Sequence, residues 1–437
     1  MEKQRDLPEH ISWLQYRVFI IAWLLNVLDG FDITSMAFTA QRIQSDLALS
    51  AAEVGIVFST TLAGMMMGAL FLAPLADKFG RRNVILYCVL VIGLSVLFTG
   101  FVDQYHFLLM LRFMAGLGVG SMLASITALT SEYTPPTYRA LLIGIVTAGY
   151  PLGATLGGFV AVPIMAAYNW QGVFVAAGTA TLTMLMALYI WVPESVQFLR
   201  TQRGQAALDK VNAIRALMKL SPLTDHDLQQ GQNIDKKNSV LQLLGNEYRS
   251  RTLRLWTCFF FCFVTLYFLM SWIPKLVEMA GYDAATSIYA ASAFNGGAVV
   301  GILILGQMAT RKSLEMLVAG FLVAAGLAMC LFSLFVEQLP LFASLFVVGV
   351  TLQGGFVGLY SVSAKLYQTS LRATGVGWAI GLGRFGAIVG PFVGGLLIDA
   401  QATLTVNFII FAIPAFLAGV VAFSLTKQQK RHSTKDM

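Results

Sequence analysis

A chain of 437 residues with 57% hydrophobic and only 12% charged residues is not an ordinary soluble domain, where about a quarter of residues carry charge. Its apolar residues recur in runs of about 20, the length that crosses a bilayer, so the chain reads as an all-α polytopic membrane protein. The net charge of +7 would suit nucleic acid, but the basic residues collect in loops on one side, which is a signature of membrane topology.

The polar stretch 1–16 lacks the basic, apolar and small-residue order of a cleaved leader, and is expected to be a cytoplasmic tail before an uncleaved first span. Spanning segments then fall at about 17–39, 53–75, 83–103, 107–130, 140–163, 171–192, 255–276, 285–308, 313–335, 340–364, 374–398 and 404–425. The expected domains are a six-helix bundle at 17–192, a cytoplasmic connection at 193–254, a second six-helix bundle at 255–425 and a cytoplasmic tail at 426–437. Within the connection, 205–220 is amphipathic and 221–238 reads as a flexible linker. Lys78, Arg81, Arg82, Arg139, Arg311, Lys312, Lys365, Arg372 and the basic residues of the tails and connection fall on one side; only Arg42 and Lys275 fall on the other. The first side is therefore expected to face the cytoplasm, with both termini inside. Cys88, Cys258, Cys262 and Cys330 all sit in apolar helices without a His or acid cluster, so they read as small hydrophobes, and neither metal nor cofactor is expected.

The first span carries Asp29-Gly30-Phe31-Asp32 near its centre. An acid there costs about 2.5–3.5 kcal/mol on insertion scales, so two need a reason. Their i,i+3 spacing puts both on one helix face, where they can share a polar cavity and load and unload a proton. The plainer alternative is that one acid only pins a helix broken at Gly30.

After the second span comes Ala73-x3-Asp77-Lys78-x-Gly80-Arg81-Arg82, whose acid and bases can form ion pairs that hold one conformation and release in another. Its counterpart after the eighth span, at Thr310-Arg311-Lys312, has lost the acid. Glu132 and Arg139 close the turn after the fourth span and are expected to join the same gating network. Val192-Pro193-Glu194-Ser195 follows the sixth.

The chain also repeats internally. Gly149, Gly153, Gly157 and Gly158 in the fifth span share the spacing of Gly386, Gly390, Gly394 and Gly395 in the eleventh, about 235 residues on. Two six-helix halves in parallel repeat, with substrate held between them, resemble the major facilitator fold. The Asp77–Arg82 loop resembles that superfamily's loop motif, with Ala73 where its leading glycine stands. Asp29-Gly-Phe-Asp32, Arg372-Ala-Thr-Gly375-Val-Gly377-Trp378 and Gly383-Arg384-Phe-Gly386 with Gly390-Pro391 together resemble the aromatic acid:proton symporter family. Gln368 stands where that family usually has proline.

The resemblance implies import of benzoate-type, hydroxybenzoate-type or protocatechuate-type acids, or muconate, driven by protons across a bacterial inner membrane. It implies a monomeric carrier that is not an enzyme, whose partners are a small organic acid, protons and lipid, not nucleic acid. The residues add their own reasons. Asp29 and Asp32 lie in the first half as proton carriers; Arg384, in the eleventh span, is a natural bidentate anchor for a carboxylate. Arg112 is a second candidate anchor, or can snorkel or pair with an aspartate. Phe31, Trp378 and Tyr360 are candidate ring partners, with Phe38, Tyr150 and Phe356 also available. The alternatives are a sugar or polyol porter and a drug:proton antiporter.

Overall fold

The computed structural model describes residues 11–135, 138–202, 205–224, 240–245 and 248–433. Eleven helices among them are long and apolar enough to cross a membrane. One of these, at Leu141–Trp191, has 51 residues, which at about 1.5 Å per residue is more than twice a bilayer's thickness. It is two spans: the backbone leaves helical geometry at Tyr168 and Asn169, the latter with φ 54°. Splitting it makes twelve spans.

We number them α1 (Trp13–Asp46), α2 (Ala51–Met67, running on through a π turn and a 3-10 turn to Phe79), α3 (Arg81–Thr99), α4 (Tyr105–Tyr133), α5 (139–167) and α6 (170–191). The second half holds α7 (Arg249–Met279), α8 (Ala284–Met308), α9 (Leu314–Leu334), α10 (Leu341–Leu366), α11 (Thr369–Asp399) and α12 (Leu404–Ser433). Short helices Val196–Thr201, Gln205–Leu217 and Val240–Leu243 lie in the connection. The helices overrun their apolar cores: α1 opens at Trp13, behind a Ser12–Gln15 capping box, and α7 opens at Arg249. Of the linker expected at 221–238, residues 225–238 lie outside the described residues, as do 1–10 of the first tail, 434–437 of the second, and the side chain of Arg372.

The repeat is visible as packing. In the first half α5 lies on α1, and in the second α11 lies on α7. Gly30 meets the backbone of Tyr150, and Gly153 the backbone of Val27. Gly386 meets Phe260 and Gly390 meets Val264 in the same way. A side chain at any of these four would strike main chain, so each stripe lets two helices approach to backbone contact. The last glycine of each stripe turns outward to the other half: Gly158 faces Ser292 of α8, and Gly395 faces Ala51 and Ala52 of α2. The seam between halves therefore runs along α2–α11 and α5–α8, with α1 against α7.

The seam is closed at one end. Asp399, ending α11, accepts hydrogen bonds from Ala51 N (2.7 Å) and Ala52 N (2.8 Å), capping the start of α2 across the halves. Ser59 Oγ donates to the Ile388 carbonyl at 2.7 Å, and Gln41 of α1 donates to Glu278 of α7. Toward the end that carries the start of α1 and the end of α12 the seam opens. Leu141 and Ile145 of α5 are exposed. No atom of a neighbouring helix lies within 4 Å of where a Cβ would sit on Gly144 of α5, Gly306 of α8 or Gly377 of α11.

Candidate functional site

Polar groups inside α1 are silenced locally: Thr34 donates to the Gly30 carbonyl (2.8 Å), Ser35 to Phe31 (2.7 Å) and Thr39 to Ser35 (2.7 Å). The two aspartates cannot be satisfied this way, because a carboxylate only accepts. Both residues are 3% exposed, and the structure treats them differently.

Asp32 turns into the first half. Its Oδ1 lies 3.2 Å from Nη1 of Arg112 on α4. Arg112 Nη2 donates to Thr99 Oγ1 at the end of α3 (3.0 Å), and the guanidinium lies 5.1 Å over the ring of Phe174 on α6. One buried charge pair thus ties α1, α3, α4 and α6 together. A cavity of about 20 Å³, roughly the room one water takes, adjoins the pair. Removing one partner strands a buried charge and costs about 3–5 kcal/mol, whereas replacing both with apolar groups is far milder. Arg112→Met or Asp32→Leu alone is therefore expected to lower the unfolding temperature in detergent sharply, and the double variant to recover most of the loss. A double variant no more stable than the singles would refute the pairing as the cause.

Asp29 turns toward the seam. Both its carboxylate oxygens are buried without a hydrogen-bond partner. Its electrostatic neighbours are Asp32, one turn on, and Arg384 across the seam on α11. Tyr150 of α5 and Tyr267 of α7 interact with each other and with both Asp29 and Arg384. Arg384 is half-buried and forms no ion pair among the described residues. Beyond it stands a wall of rings from α7 and α10. Phe263 stacks on Tyr267 (5.7 Å between centroids) and meets Phe356 edge-on (4.9 Å). Phe259 and Phe356 both pack edge-on against Tyr360 (5.4 and 5.3 Å), and Tyr360 in turn lies in the field of Arg384. A cation for a carboxylate, aromatic faces for a ring, phenol hydroxyls and an unpaired acid for a proton thus converge where the halves meet.

The other residues singled out by sequence fall elsewhere. Phe31 packs beside Gly157, inside the α1–α5 contact. Trp378 lies against Trp256, 6.3 Å between centroids and 43% exposed, toward the open end. Tyr267, Phe259 and Phe263 were not read from the sequence as site residues. A signal for Tyr267 existed: the internal offset of about 235 residues carries Asp32 onto it.

At the open end, Arg81 pairs with Glu132, which also accepts from Ser195 Oγ (2.6 Å). Glu194 accepts from Arg82 N (2.9 Å) and Ser195 N (2.8 Å), and Arg82 Nη2 donates to the Tyr189 carbonyl (2.6 Å). Gly80, at φ 96°, makes the turn that brings this loop onto Glu194. Asp77 is 82% exposed and only 3.8 Å from Arg81; Arg139 opens α5 at the same end. These bonds join α2, α3, α4 and α6, so here the network braces the first half.

Two six-helix bundles that meet around an acid on one side and an arginine on the other define a membrane carrier. The family model described as the Major Facilitator Superfamily matches residues 22–354 and 290–436. The 4-hydroxybenzoate transporter PcaK of Acinetobacter baylyi is 31% identical over 430 residues, covering 96% of this chain and 92% of that one. The gallate transporter of Pseudomonas putida is 32% identical over 428 residues, covering 94% and 91%. Among solved structures, a D-xylose-proton symporter superposes with a TM-score of 0.75 at 15% identity, over 94% of this chain and 97% of that one. The chain belongs to the major facilitator superfamily and, within it, to the aromatic acid:proton symporter family, whose members are membrane transporters and not enzymes.

Proposed function

We propose that the chain imports an aromatic carboxylate together with a proton across a bacterial inner membrane, as a monomer with both termini in the cytoplasm. The observation that carries this reading is Arg384, which makes no ion pair among the described residues, facing the carboxyl of Asp29, whose oxygens are buried without a hydrogen-bond partner, across the seam. A substrate carboxylate on Arg384 supplies the missing anion, and a proton on Asp29 removes the charge that would repel it. The rings of α7 and α10 hold the aromatic body. With both loaded, the seam is near neutral and free to close; release of both resets it. The carboxylate of Asp32 is already paired with Arg112 inside the first half, which leaves Asp29 as the acid at the seam.

The names of the relatives, transporters of 4-hydroxybenzoate, gallate and benzoate, favour an aromatic acid over muconate, a sugar or a drug. The bias of Lys and Arg supports the orientation, which makes the open end cytoplasmic. The test is uptake of labelled benzoate, hydroxybenzoates, gallate, muconate and glucose by cells expressing the chain, with and without a protonophore. Accumulation of an aromatic acid that the protonophore abolishes is the expected result. Glucose uptake, or acid uptake indifferent to the protonophore, overturns it.

A further inference from the structure

We propose that the closed end of the seam carries a second carboxylate site, which forms only while that end is shut and holds it shut. The inference rests on the aromatic-acid reading above for its ligand, but on different residues. A cavity of about 260 Å³ lies between the far ends of α1, α5, α7 and α8, and Arg384 is not among the residues that line it. Small-molecule pockets begin at roughly 300 Å³, so this one suits a single-ring acid and little more.

Its wall carries Arg42 from one half and Lys275 from the other, the two cations on this side of the chain. Neither makes an ion pair among the described residues. Phe38 and Ile288, both buried, form an apolar floor. Gln41 bridges the halves by donating to Glu278, and this leaves its own Oε1 buried without a partner. The cavity therefore offers two cations for a carboxylate, an apolar surface for a ring and a free acceptor for a phenol hydroxyl. Glu278 is its one lining acid; it accepts from Gln41 and lies in the field of both Lys275 and Arg42, so it competes with an incoming carboxylate for them. Asp283 lies nearby but is spent on capping α8, accepting from Thr286 N (3.0 Å) and from the Thr286 hydroxyl.

Because the walls come from both halves, opening this end parts Arg42 from Lys275 and dissolves the site. A ligand that binds only the closed form shifts the equilibrium toward it. External acid at high concentration then slows the return of the carrier to the outward-open state, and uptake falls beyond an optimum.

The test titrates the purified full chain with 4-hydroxybenzoate by calorimetry and, in parallel, measures uptake over a wide range of external acid. The wild type is expected to show two binding events and a downturn in uptake at high concentration. Arg42→Gln/Lys275→Gln is expected to weaken one event by about tenfold or more and to remove the downturn, while the other event survives and reports an intact fold. Arg384→Ala is expected to lose the other event and keep this one. Glu278→Gln, which removes the competing charge, is expected to move the downturn to lower concentration. A single event that vanishes with Arg384→Ala, two events indifferent to Arg42→Gln/Lys275→Gln, or uptake without a downturn overturns the second site and leaves the transport reading standing. No binding of any aromatic acid overturns both.

Discussion

Asp29→Asn is expected to abolish uptake driven by a proton gradient while leaving exchange of acid across the membrane in place. Asparagine is close in shape to the protonated carboxyl and cannot lose a proton, so the variant is a carrier locked in the loaded charge state. It should bind the acid and pass it in either direction, as counterflow, but lose the link to the gradient. A coupling free energy of about 1–3 kcal/mol corresponds to roughly 5–150-fold in accumulation, and that is the expected loss. The contrast is Asp32→Asn, which strands Arg112 inside the first half and should show as poor stability rather than as uncoupling. The measurement is gradient-driven uptake beside counterflow in proteoliposomes. Gradient-driven accumulation by Asp29→Asn at the wild-type level would remove Asp29 as the coupling group.

Arg384→Ala should cost the most in binding. A guanidinium grips a carboxylate through two parallel charge-assisted bonds, each contributing about 1.5–3 kcal/mol, so their loss weakens binding by about 100-fold or more. Arg384→Lys keeps the charge and loses the fork, so it should fall between the wild type and the alanine variant. The reading predicts a change in KM and in equilibrium binding of the acid, with expression and unfolding temperature close to wild type, because Arg384 holds no ion pair among the described residues. Full transport by the alanine variant at normal expression would exclude Arg384 as the anchor.

Much of the architecture was open to inspection in the chain itself. Apolar runs of bilayer length can do little but span, since an unpaired backbone is intolerable in lipid, and this gave the helices before any coordinates. The spaced glycines of α5 and α11 announced a repeat, and in the structure both stripes meet backbone, α5 on α1 and α11 on α7. The break at Tyr168 and Asn169 falls in the short gap between the fifth and sixth apolar runs, although the helix is otherwise nearly continuous. The motifs around Asp29 and Arg384 pointed to the family that the comparisons bear out.

The class of machine, its repeat and the short set of charged residues inside it can be read from the chain alone, because burying charge in lipid is so costly that each instance marks a purpose. How those charges are shared depends on the packing of the helices. Two acids at i,i+3 sit on one side of a helix, but about 60° apart around its axis. That difference is enough to aim Asp32 at Arg112 within the first half and Asp29 at Tyr150 and, across the seam, at Tyr267 and Arg384. It likewise drew Phe31 into the α1–α5 contact and brought Phe259, Phe263 and Phe356 together from α7 and α10. Spacing along a chain places a side chain on a face of its own helix; which neighbour that face meets is set by helices a hundred or more residues away.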